Sequence, residues 1–136
     1  YEGLQEGDAS AVVQANPTLI KEMIRNLVDN ALNYTPSSAE HPGIVTVRVT
    51  SDGIAKAVFL QVEDTGPGIP EAERELVMQP FYRVLGTNTD GSGLGLAIVL
   101  EIAQKHLATL TIEEANPGKT PVGALFTLRF KLSARV

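Results

Sequence analysis

From Asn16 to Tyr34 apolar side chains return every three or four positions, and Leu19, Ile20, Met23, Ile24, Leu27 and Ala31 fall into one wide arc of a helical wheel. Asn16-Pro17 supplies a start signal, an asparagine cap followed by proline in the first turn. Thr35-Pro36 supplies the stop, because the residue before proline avoids helical backbone. Asn26, Asn30 and Asn33 share a narrow polar sector of the same wheel, and Asn30 projects to the edge of the apolar arc, between Leu19 and Met23. An amide at that edge is costly unless something pairs with it. On the residues alone, the three amides either serve a ligand or simply face solvent.

The period then changes to two. Ile44–Thr50 alternates as a half-buried strand, Ser51-Asp52-Gly53 reads as a turn, and Lys56–Glu63 follows as an antiparallel partner. Asp64-Thr-Gly-Pro-Gly-Ile-Pro70 breaks that strand on a carboxylate, and Pro70–Glu75 opens a short helix. Leu85–Ser92 has no periodicity and suits a lid hinged on the glycines that follow. A glycine-led helix to about His106, strands at Leu107–Glu114 and Gly123–Leu132 and a turn at Asn116-Pro117-Gly118 complete the pattern, with a further strand candidate at Ser10–Gln14. Hairpin-paired strands with helices set between them predict an α+β, two-layer sandwich: a mixed, mostly antiparallel sheet with about three helices on one face.

Composition narrows this picture. With 136 residues, 43% hydrophobic and 20% charged, residues 1–136 read as one folded domain whose first nine positions are poorly ordered. A net charge of -5 argues against nucleic acid as a partner. The absence of cysteine excludes disulfides and thiolate metal sites.

Candidate chemistry gathers in the glycines. Gly91, Gly93 and Gly95 run into a helix whose first N–H groups and dipole make a seat for phosphate. A tightly packed helix start is the other reading of the same residues. Gly66 and Gly68 would let a flat ligand lie against backbone while Asp64 accepts a hydrogen bond from it, although a surface turn uses the same residue types.

The order of the motifs goes further than any of them singly. Asn26-Leu-Val-Asp-Asn30-Ala-Leu-Asn33-Tyr34-Thr, Asp64-Thr-Gly66-Pro-Gly68, Pro80-Phe-Tyr-Arg83 and Gly91-Ser92-Gly93-Leu94-Gly95-Leu96 follow one another from about Val12 to Phe130. This set resembles the ATP-binding catalytic domain of bacterial two-component sensor histidine kinases, within the wider gyrase, Hsp90 and MutL ATPase group. The resemblance implies the sandwich described above and ATP with Mg²⁺ as ligands. Asn30 takes the place of the magnesium-binding amide, and Asp64 that of the carboxylate accepting from the adenine amino group. Gly66, Gly68, Ile69 and Tyr34 fall at the base and its surroundings, and Asn33 at a position near the phosphates. Gly91, Ser92, Gly93, Leu94, Gly95 and Leu96 match the triphosphate loop and its anchor. Arg83 is the basic candidate for the phosphates or the phosphoacceptor.

Asn26 stands where the hydrolytic relatives carry a water-activating glutamate; an amide is no general base, which favours the kinase branch over an ATPase. The implied partners are a histidine on a dimerisation domain of the same protein and a response regulator. The implied setting is the cytoplasmic part of an inner-membrane receptor, monomeric as this fragment and homodimeric as the parent. His41 and His106 lack the surroundings of a phosphoacceptor. Two departures leave a nucleotide-sensing module as the alternative: Asn33 stands where Lys or Arg is usual, and no Lys or Arg lies between Arg83 and Lys105. Leu107-Ala108 replaces a common glycine pair and should alter only a turn.

Overall fold

The computed structural model describes residues 15–79 and 95–132. Helix α1 spans Pro17–Tyr34, followed by strands β1 (Val45–Asp52) and β2 (Ala57–Asp64), then helix α2 (Gly95–Lys105) and strands β3 (Thr109–Glu114) and β4 (Ala124–Lys131). The strand candidate at Ser10–Gln14, the lid at Leu85–Ser92, and Arg83, Gly91, Ser92, Gly93 and Leu94 lie outside the described residues.

The sheet runs β1-β2-β4-β3, and all three pairings among the described strands are antiparallel. Register builds the core in layers. Val47, Val62, Phe126 and Ile112 face one another across the four strands, and Val49, Leu60, Leu128 and Leu110 form the next layer. Against them α1 buries Met23, Leu27 and Ala31, and α2 buries Leu96, Val99, Ile102 and Ala103. Both helices therefore cover one face. The other face is mostly polar, with Arg48 donating to Glu63 at 2.7 Å and Gln61 to Thr127 at 3.2 Å, although Phe59 and Leu125 also lie on it.

Local chemistry sets the ends. The Asn16 carboxamide accepts from the N–H groups of Thr18 and Leu19 at 3.0 and 3.2 Å, with Pro17 in the first turn. Thr35 is extended before Pro36. The first hairpin turns later than its sequence suggests: Ser51 and Asp52 stay paired with Val58 and Ala57, and Asp52 caps the turn by accepting from Ile54 and Ala55. The short helix expected from Pro70 is two single 3₁₀ turns, Glu71–Glu73 and Leu76–Met78, neither with a side-chain cap. Such short uncapped segments do not gain enough from α-helix propagation to continue.

Helix α2 closes on Leu107, whose φ of 54° puts it in the left-handed region while Ala108 N–H bonds back to Ala103 at 2.8 Å. The preceding His106 donates from Nδ1 to the Ile102 carbonyl and accepts from the Asn16 N–H at Nε2, 3.0 Å away. It ties the start of α1 to the end of α2. Leucine pays a steric penalty that glycine avoids, and its side chain is exposed. Leu107→Gly is expected to raise stability by about 1 kcal/mol, net of the added unfolded-state entropy, as read by denaturant unfolding. A loss of stability would mean that the leucine side chain makes contacts that outweigh its backbone strain.

Candidate nucleotide site

Asp64 is in phase with Leu60 and Val62, so strand alternation carries a carboxylate to the helix-covered face at the end of β2. It is 3% exposed and is the only charged residue among the buried ones described. Gly66 and Ala124 donate their backbone N–H groups to its Oδ1 at 2.9 and 3.1 Å. Oδ2 has no donor among the described residues. Burial pushes the carboxyl above its ordinary pKa; the Gly66 and Ala124 N–H groups oppose this, and neighbouring Glu63 adds to it.

The backbone around Asp64 is packed too closely for side chains. A Cβ on Gly66 would lie 2.5 Å from the Tyr34 carbonyl oxygen, and Gly68 has φ 79° with its missing Cβ 2.7 Å from Val122. Arg74 Nε donates to the Ile69 carbonyl at 3.1 Å and steadies the end of this loop. Asn30, Tyr34, Asp64, Pro67, Gly68, Ile69, Ala124 and Phe126 thus line one small, narrow cleft. An acceptor at its back, apolar walls and bare backbone at one edge suit a flat heterocycle carrying an amino group.

Asn30 faces this cleft, and its Oδ1 is buried with no hydrogen-bond partner among the described residues. A buried amide oxygen without a donor is unfavourable. It is also the ligand a hard cation prefers, and Mg²⁺ completes its shell from water and substrate phosphates without needing a cage of protein side chains. No group of three His, Cys, Asp or Glu side chains able to hold a metal occurs among the described residues. Asn30 therefore fits a magnesium that arrives with a phosphate-bearing ligand.

One turn earlier, Asn26 Nδ2 donates to the Glu22 carbonyl at 2.8 Å and to Glu22 Oε1 at 3.2 Å. Its Oδ1 points toward Gly95, 3.6 Å from where a Cβ there would sit. The structure thus brings Asn26 to the start of α2, where Leu96 is anchored in the core. Asn33 is exposed near the end of α1 and stands apart from the cleft. His41 is exposed, its backbone tied to Ser38. The motifs did not point to Ala124 or Phe126, which complete the cleft from β4, or to Gly123 just before that strand. Gly123 has φ 71°, and a Cβ on it would overlap the Asp64 carbonyl. Its one sequence signal is a glycine directly before an alternating run.

The family model of histidine kinase-, DNA gyrase B- and HSP90-like ATPases matches residues 15–134. The chain belongs to this family. It is 42% identical over 121 residues to the signal transduction histidine-protein kinase/phosphatase MprB of Mycobacterium sp. (strain KMS), covering 88% of this chain and 21% of that protein. The MprB of Mycobacterium tuberculosis (strain ATCC 25618 / H37Rv) is 42% identical over 105 residues, covering 76% and 20%. This histidine kinase-like domain thus spans about a fifth of the length of the curated relatives it matches. Among solved structures, a mycobacterial sensor histidine kinase MprB superposes with a TM-score of 0.78 at 31% identity, covering 89% of this chain and 78% of that one. The nucleotide-free catalytic domain of histidine kinase ThkA gives 0.69 at 28%, covering 90% and 73%. The expected α+β fold and ATP-binding family are both borne out.

Proposed function

We propose that this domain binds Mg-ATP and transfers its γ-phosphate to a histidine on a separate dimerisation domain, on the cytoplasmic side of a bacterial membrane receptor that signals to a response regulator. The observation that carries the reading is Asp64. Its Oδ1 is held by two backbone N–H groups and its Oδ2 is left for the adenine amino group, at the back of a cleft whose flank carries the unpartnered Asn30 oxygen. Asn30 takes the magnesium, Tyr34 and Ile69 enclose the base, and the segment from Gly91 to Gly95 with Arg83 receives the phosphates. The chain's own contribution is positioning and charge stabilisation, which is most of what phosphoryl transfer requires. Asn26 supplies no base for water, so hydrolysis is slow.

The exposed Asn33 favours a second reading, in which the same pocket binds nucleotide without passing phosphate on. Incubating the domain with a dimerisation helix pair bearing the acceptor histidine, Mg²⁺ and γ-labelled ATP decides between them. Acid-labile, alkali-stable label on that histidine is the expected result. Nucleotide binding without such label would leave the sensing module in its place.

A further inference from the structure

Asn26 has one acceptor and two donors, and both donor contacts go to a single residue one turn back. The Glu22 carbonyl takes one N–H at 2.8 Å and the Glu22 carboxylate takes the other at 3.2 Å. The NH₂ group is therefore saturated within α1. What Asn26 presents to the start of α2 is its carbonyl oxygen, near Gly95 and without a donor among the described residues. We propose that Glu22 is a positioning residue that fixes the Asn26 amide with its oxygen, and not its NH₂, toward the phosphate end of the nucleotide site. This rests on the nucleotide reading above and goes beyond it by giving the orientation a cause.

The orientation matters because the two ends of an amide address opposite partners. An NH₂ would donate directly to a phosphate oxygen. A carbonyl oxygen repels that phosphate and accepts instead from water, an N–H or a cation. With Asn30 four residues on, α1 presents two amide oxygens that have no donor among the described residues, an arrangement favouring a metal-laden phosphate over a bare one. Without the carboxylate the amide keeps only the Glu22 backbone carbonyl as its acceptor and turns over more readily about its last torsion, since the bond to the ionised group is the stronger kind. Glu22 is exposed, so its contribution to folding is small.

Calorimetric titration of ATP into the 136-residue chain, once with Mg²⁺ and once with chelator, tests this. Glu22→Ala is expected to weaken Mg-ATP binding by about three- to tenfold while leaving metal-free ATP unchanged or tighter. Glu22→Gln, which keeps a neutral acceptor at the same reach, recovers part of that loss and falls between the parent and Glu22→Ala. In an Asn26→Ala background the Glu22→Ala change has no further effect. Melting temperatures of the Glu22 variants stay within about 2 °C of the parent. An equal loss in both arms would reduce Glu22 to a structural role and overturn the proposal. Tighter Mg-ATP binding by Glu22→Ala would show that its charge merely repels the phosphates, and would overturn it too. A parent chain that binds ATP in neither arm overturns the nucleotide reading itself, a failure distinguishable from unchanged binding by Glu22→Ala alone.

Discussion

Asp64→Asn is expected to weaken ATP binding by about ten- to a hundredfold while leaving the domain folded, the loss expected for a charge-assisted hydrogen bond replaced by a mismatch. The asparagine oxygen can still accept from Gly66 and Ala124, so the support from beneath survives. The amide nitrogen, however, takes the place of Oδ2 and sets a donor against the adenine amino donor. The same substitution should narrow the gap between ATP and GTP, because a guanine carbonyl can accept from that nitrogen. Asp64→Ala is the harsher change: it leaves two buried N–H groups unpaired, each costing about 1–3 kcal/mol, so its effect on binding would be confounded with unfolding. Competition titrations of both nucleotides against Asp64→Asn are the cleaner measurement. Unchanged ATP affinity would remove the carboxylate from base recognition.

Asp64 also sets a pH dependence. Because burial raises its pKa in the folded chain, the folded state holds a proton that the unfolded chain has already released over the interval between the ordinary aspartate value and the raised one. Stability from this residue therefore falls as pH rises through that interval and stays at the lower level above it. Asp64→Asn removes that slope, which urea unfolding across the acid range would show. A parent curve that instead rises through the interval would mean that the N–H groups outweigh the desolvation.

Period and end signals are local, which is why α1, its asparagine cap and its proline stop were legible from residues 16–36. The three longer strands were placed to within about two residues, the margin at which strand ends are set by pairing partners and not by their own sequence. Asp52 shows this: an Asp-Gly pair reads as a turn, but Ala57 opposite it extends the ladder. The base-binding end of the site was legible because Asn30, Tyr34, Asp64, Gly68 and Ile69 belong to motifs, and the structure draws them round one cleft. Gly123, Ala124 and Phe126 were not, since their part depends on β4 pairing beside β2 across more than sixty positions of sequence. The Glu22–Asn26 contact has helical spacing and was in principle readable. A glutamate four residues before an asparagine is too ordinary on a helix surface to be singled out without the geometry of α2 beside it.

Asn30→Ala should separate stability from function in opposite directions. In the parent chain a buried amide oxygen has no partner among the described residues, a burden of about 1–3 kcal/mol when nothing binds. Alanine removes that burden and is the better helix former by about 0.7 kcal/mol, against which stands the small void left beside Tyr34 and Phe126. Unfolding of the empty domain is therefore expected to be unchanged or shifted up by about 1 kcal/mol. Magnesium-dependent nucleotide binding should drop by about tenfold or more, and phosphotransfer by more than about a hundredfold, since in this reading the Asn30 oxygen holds the metal directly. Such a trade is the signature of a group kept for its ligand: an oxygen unpaired among the described residues is satisfied when the site is occupied. A variant that lost stability yet bound Mg-ATP as tightly as the parent would place the Asn30 oxygen in the service of the fold, and the magnesium assignment would fall.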